Sequence, residues 1–136
     1  MYLTESAKRG FVLFNGKANC FACHSGWRFT DDKFHDIGTT RTDLGRGRIV
    51  KDDPLLQFAF KTPTLRSVSL RPPYMHNASE ATLRDVLKLY ERGGIERDSR
   101  SPLMMPIELA EQDRRDLIAF IESLTDIEQN TELTPR

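Results

Sequence analysis

Hydrophobic residues recur at helical spacing in three stretches of this chain, and the tract separating the first two of them follows no period. In the first stretch Ala7, Phe11 and Phe14 share a face, Thr4 stands at the cap position, and Glu5 lies in the first turn, where a carboxylate suits the helix dipole. Gly10 interrupts that face. A glycine inside a helix costs about 1 kcal/mol against alanine, so its presence predicts that another helix crosses closely there. The last stretch, Glu111 to Leu124, repeats Leu117, Phe120, Ile121 and Leu124, which places the Phe120 ring against Gly10; Ala110 leaves this helix without a good cap. Between them, Thr82 caps a helix with Asp85 in its first turn, an apolar face of Leu83, Val86, Leu87 and Tyr90, and Gly93-Gly94 as the stop. Tyr90 is therefore expected on a buried face.

From Ser25 to Pro73 turn residues are frequent (Gly26, Gly38, Gly45, Gly47, Asp52-Asp53-Pro54, Pro63, Pro72-Pro73), and Ile95 to Pro102 is a second, polar loop. An irregular tract of this length needs a task, and enclosing a flat cofactor is one. The fold class expected is all-α, three principal helices with long irregular loops, forming one domain over residues 1–125 with a polar tail over 126–136.

Twenty basic and twenty acidic side chains cancel, so no overall field points to nucleic acid or an anionic membrane surface. The local cluster Arg41, Arg46, Arg48 and Lys51 reads as a solvated face before a docking site. No apolar run approaches the length of a membrane span.

The chemistry lies in Cys20-Phe21-Ala22-Cys23-His24, which matches the Cys-x-x-Cys-His pattern of covalent c-type haem attachment. Two thiols at this spacing reach the two vinyl groups of one porphyrin, and the next imidazole falls under the iron as an axial ligand. A thioredoxin-like pair would sit after a buried parallel strand, and none precedes Cys20; a zinc site would need two further ligands, and His35 and His76 stand far apart. One haem c per chain is expected. Such attachment takes place outside the bacterial cytoplasmic membrane, which implies a periplasmic protein, and since Met1 to Thr4 carries no signal-peptide pattern, a processed or trimmed chain is expected. Lys61 and Arg66 are candidates to neutralise the haem propionates, and Trp27 to pack on the porphyrin edge or serve as an aromatic stepping stone.

Several separated motifs carry a resemblance. Leu3-Thr4-Glu5 to Phe14, Ala18 to Gly26, Phe29-Thr30-Asp31, Phe34-His35-Asp36-Ile37-Gly38, Phe60-Lys61-Thr62-Pro63-Thr64-Leu65-Arg66 and Pro73-Tyr74-Met75-His76-Asn77 together resemble the C-terminal half of the bacterial di-haem cytochrome c peroxidase and MauG family, over nearly the whole chain to about Thr125. The pairing of the first and last helices is likewise similar to the crossing in class I cytochromes c. The resemblance implies the six-coordinate, electron-transfer haem of that family, with a second haem domain or a redox protein as partner. It also implies a calcium ion between the two haems, against which stand Arg71, where the family usually has threonine, and the missing half. A further departure is His76-Asn77-Ala78, where the family has glycine third in a turn that favours positive φ.

For the distal ligand the resemblance points to Tyr90, at the end of the Thr82-Leu83 helix. Met105, followed by Pro106 as in class I cytochromes c, is the alternative, then its neighbour Met104, with Met75 weaker. Core tyrosine and gap-filling methionine are the competing structural roles. Two functions remain open: a single-haem electron-transfer module, which is favoured, or a peroxidase with an open distal position and His76 or Glu80 as acid–base group.

Overall fold

The computed structural model describes residues 2–125; the tail expected over 126–136 lies outside them. Three α-helices carry the fold: α1, Glu5–Asn15; α2, Leu83–Arg92; and α3, Glu111–Glu122. The irregular tract contains short 3-10 turns and one antiparallel ribbon of two-residue strands, β1 (Phe34–His35) and β2 (Phe60–Lys61), with Phe34 opposite Lys61 and His35 opposite Phe60. The Pro72–Pro73 bond is cis. No helix among the described residues is long and apolar enough to cross a membrane.

Each helix end has a local cause. Thr4 Oγ1 accepts the Ala7 N–H at 3.1 Å and opens α1. Thr82 and Asp85 form a reciprocal box at the start of α2: the Asp85 N–H donates to Thr82 Oγ1 (3.1 Å), and the Thr82 N–H to Asp85 Oδ2 (3.2 Å). Gly93 ends α2 at φ +75, and its N–H returns to the Tyr90 carbonyl at 3.0 Å. Ala110 has no capping oxygen, but the Asp113 carboxylate reaches back to accept its N–H at 2.9 Å, so α3 is begun by its third residue.

Helices α1 and α3 cross at Gly10, where a Cβ would lie 1.9 Å from the Asp116 carbonyl oxygen and 2.8 Å from Phe120 Cβ. Only a residue without a side chain permits that approach. Phe120 meets Gly10 through its Cβ, where the ring was expected, and the backbone of Asp116 is nearer still. Around the crossing Ala7, Phe14, Leu117, Phe120 and Leu124 form the core with Leu87 of α2. Phe14 and Phe120 meet edge to face at 5.1 Å. Phe11, counted on the same face by its spacing, is half exposed and touches Phe120 only from the rim, at 5.4 Å.

Two buried carboxylates pin the remainder. Asp116 accepts from Ser6 Oγ (2.6 Å), Arg9 Nε and Nη2 (2.8 and 2.9 Å) and Gln112 Nε2 (2.9 Å), which locks α1 to α3 beside Gly10. Asp36, fully buried, accepts from Arg97 Nε and Nη2 and from Ser99 Oγ, each at 2.7 Å, and from the Gly38 N–H at 2.9 Å. Arg97 also lies 3.9 Å over the Phe58 ring, so the polar Ile95 to Pro102 loop is anchored by its charge to the irregular tract. Ala78 adopts φ +58, the positive φ expected of this turn.

Gly10→Ala forces α1 and α3 apart and lowers stability by about 1–3 kcal/mol. Thermal unfolding checks this, and an unchanged or higher midpoint contradicts it. A second prediction concerns acid. The Arg9 guanidinium and then the Ser6 hydroxyl hold the Asp116 carboxyl well below the ordinary range. Its stabilisation is therefore complete above the unfolded value of about 3.9 and is lost as pH falls below it. Asp116→Asn flattens the acid side of the stability profile; an identical pH dependence in that variant rules the role out.

Candidate functional site

The segment Cys20–Ala22 is one 3-10 turn delivered by α1. The Ala18 N–H bonds back to the Leu13 carbonyl at 3.0 Å, and Asn19 then turns left-handed at φ +53. The N–H groups of Cys23 and His24 both return to the Cys20 carbonyl, at 3.3 and 2.9 Å, closing the five residues into a single coil. The two thiols are free rather than joined in a disulfide. Burial pushes the Cys20 thiol up to about 12, and burial followed by the nearby Asp31 carboxylate raises that of Cys23. A dithiol working by exchange is helped by the opposite shift, toward the thiolate, so these surroundings do not favour the thioredoxin-like alternative.

The His24 imidazole is fixed by its other nitrogen. Nδ1 lies 3.0 Å from the Phe29 carbonyl oxygen, which can only accept, so Nδ1 carries the proton and Nε2 presents its lone pair. Burial lowers the imidazole's pKa, opposed by the Phe29 and Pro63 carbonyls and by Asp31, and favours the neutral form that binds a metal. Phe29 reaches this position with φ +54, a left-handed conformation that costs a residue with a bulky side chain about 1–3 kcal/mol. Its ring is held edge to face by Phe14 (6.0 Å) and Phe120 (6.2 Å), with the Arg66 guanidinium 4.9 Å over it.

Tyr90, in the last turn of α2, faces the coil. Burial raises its phenol pKa most, and the Cys20 and Cys23 thiols come next, while no hydrogen bond contributes. By exposed area Tyr90 is half-buried rather than fully buried as its spacing predicts, and its phenol oxygen, with no protein hydrogen bond, is one that could be offered to a metal cofactor bound at the coil. Met105 is 66% exposed, whereas Met104 is 4% exposed, so the residue ranked first from its Pro106 neighbour is the one turned to solvent. Met75 is half-buried at φ +71.

The other sequence candidates each make contacts of their own within the protein. Lys61 Nζ pairs with Asp32 Oδ1 at 2.9 Å and donates to the Thr62 carbonyl at 3.2 Å. Arg66 Nε donates to the Trp27 carbonyl at 2.8 Å. Trp27 itself is 78% exposed beside the coil, with the Arg28 guanidinium 5.9 Å from its ring. His76 stacks flat on Phe60 at 3.6 Å and lies 3.7 Å from Asp43, while Glu80 is half-buried with its backbone paired to Tyr74.

Spacing gave no sign of two features. One is the Phe29 carbonyl, because a backbone acceptor has no residue signature. The other is the approach of Cys23, Asp31 and His35, whose donor atoms lie within 4.8 Å of one another. His35 Nε2 and Asp31 Oδ2 already satisfy each other at 2.7 Å, and three ligands leave a structural zinc site one short.

The model of the cytochrome c family matches residues 7–125. The methylamine utilization protein MauG of Methylophilus methylotrophus is 54% identical over 125 residues, which cover 90% of this chain and 37% of that protein. Cytochrome-c peroxidase IdrP1 of Pseudomonas sp. strain SCT is 35% identical over 159 residues, covering 90% and 41%. The crystal structure of a MauG-like protein associated with microbial copper homeostasis superposes with a TM-score of 0.83 at 31% identity, over 92% of this chain and 48% of that one. The chain thus spans between a third and a half of the length of these relatives.

Proposed function

We propose that this chain, which belongs to the cytochrome c family, is the electron-transfer part of a larger oxidoreductase and carries one covalent haem c. The observation that carries this is the Cys20–His24 coil, with two half-buried thiols whose protonated form is favoured and an imidazole whose Nδ1 is already committed to the Phe29 carbonyl. Cys20 and Cys23 would hold the porphyrin as thioethers, each S–H adding across a vinyl double bond with no atom lost. His24 Nε2 would be one axial ligand. The bound haem would supply a one-electron ferric–ferrous couple.

Tyr90 is our choice for the opposite ligand, supported by its place beside both thiols and its lack of another partner. To bind ferric iron it must release its phenol proton against a burial that resists this, and the charge of the metal favours that release. Among the methionines, burial favours Met104 over Met105. A phenolate stabilises the ferric state, where a thioether would favour the ferrous one.

The motif order supports the C-terminal, electron-transfer half of the di-haem family, with a second haem domain or a redox protein as partner and the periplasm as location. Calcium is not part of this assignment, because Arg71 Nη2 already donates to the Thr64 and Arg66 carbonyls, at 3.3 and 3.1 Å.

Expression with haem-attachment machinery yields a protein whose colour survives acid–acetone extraction at one haem per chain; a colourless product with two free thiols refutes the assignment. Tyr90→Phe converts the ferric spectrum to high spin while Met105→Leu and Met104→Leu leave it unchanged, and the reverse pattern transfers the role to the methionine concerned. With both axial positions filled, the chain alone consumes hydrogen peroxide slowly. Rapid turnover that is lost in His76→Ala or Glu80→Gln establishes the peroxidase alternative instead.

A further inference from the structure

Four consecutive residues after the Cys20–His24 coil are each gripped by one segment, Thr62 to Arg66. Arg66 Nε donates to the Trp27 carbonyl at 2.8 Å, Thr64 Oγ1 donates to the Arg28 carbonyl at 2.5 Å, the Arg66 guanidinium covers the Phe29 ring at 4.9 Å, and Thr30 Oγ1 donates to the Thr62 carbonyl at 2.6 Å. Arg71 braces this segment from behind through the Thr64 and Arg66 carbonyls. Inside the grip is Phe29, with φ +54 and with its carbonyl on His24 Nδ1.

A phenylalanine has no intrinsic preference for that backbone conformation. Left to itself the peptide would relax toward negative φ and swing its carbonyl off the imidazole. The ring contacts to Phe14 and Phe120 hold one side of Phe29, and the Thr62–Arg66 segment holds the backbone on either side of it. Without this restraint the Phe29 acceptor, the one at hydrogen-bond distance from Nδ1, is not fixed.

We propose that Thr64 and Arg66 are positioning residues for the axial imidazole: by holding the Phe29 carbonyl on the His24 Nδ1–H they set the ferric–ferrous equilibrium of the haem. This rests on the haem assignment above. A fixed acceptor on Nδ1–H strengthens imidazole as a donor and favours ferric iron, so loosening the acceptor favours ferrous iron. Arg66 then acts by its fork and its plane rather than by its charge, which separates this role from neutralising a propionate. Lysine would preserve the charge but neither the Nε bond nor the stacking.

The test is a one-electron potentiometric titration of the haem-loaded protein, with dithionite as reductant and ferricyanide as oxidant. Thr64→Val and Arg66→Lys both keep the net charge and are expected to shift the equilibrium toward ferrous iron by up to tenfold, about 59 mV for a one-electron couple. Thr64→Ser, which retains the hydroxyl, is expected to keep the wild-type potential. A wild-type potential in Thr64→Val or in Arg66→Lys, or a shift toward ferric iron in either, overturns the proposal, as does a shifted potential in Thr64→Ser. Failure of the haem assignment is distinct, since a chain without covalent haem has no couple to titrate.

Discussion

The close approach of α1 to α3 at Gly10 is the constraint on which the rest of the molecule depends. With no Cβ between them, the two backbones come near enough for Phe14 and Phe120 to meet edge to face and for Phe29 to join them. That third ring does not belong to either helix. It arrives on the turn after the cysteine motif, and its capture by the crossing brings the Phe29 carbonyl to His24. The helix pair is thus more than a support for the site, because the same aromatic cluster fills the core and fixes the acceptor of the His24 imidazole.

Charge is used inside this fold as mortar. Asp116 ties both helices at their crossing, and Asp36 ties the irregular tract to the Ile95 to Pro102 loop through Arg97. Each carboxylate is paired with a guanidinium and receives further hydrogen bonds, the condition under which a buried charge is tolerated. In both cases the carboxyl is held below its ordinary range: by Arg9 first at Asp116, and at Asp36 by Arg97, Ser99 and Gly38 against a burial that alone would raise it. The loops of this chain are long, but they are not loosely attached.

The relatives are longer proteins, of which this chain spans between a third and a half. Trp27 is exposed next to the coil, on a turn whose backbone is fixed by Arg66 and Thr64. A rigid turn with an exposed aromatic tip loses little freedom when it meets a partner.

Helix identity was legible in the residue pattern because caps, stops and apolar spacing are local: Thr4, Thr82 and Gly93 act where the pattern puts them, and Gly10 marks the crossing. The Cys20–His24 motif was equally legible, since its chemistry requires neighbours in sequence. Its environment was not. Lys61 pairs with Asp32, Arg66 bonds the Trp27 carbonyl, and Met104 is buried while Met105 is exposed, because side-chain direction in an irregular tract follows from which distant segments pack together. By itself, then, the sequence determined three helices, two of them capped, one glycine crossing and the Cys20–His24 motif, all set by interactions within a few residues or by the absence of a side chain. Only the tertiary structure decided that Phe29 would turn left-handed and aim its carbonyl at His24, because that conformation is unfavourable locally and is held by rings and an arginine up to 91 residues away along the chain.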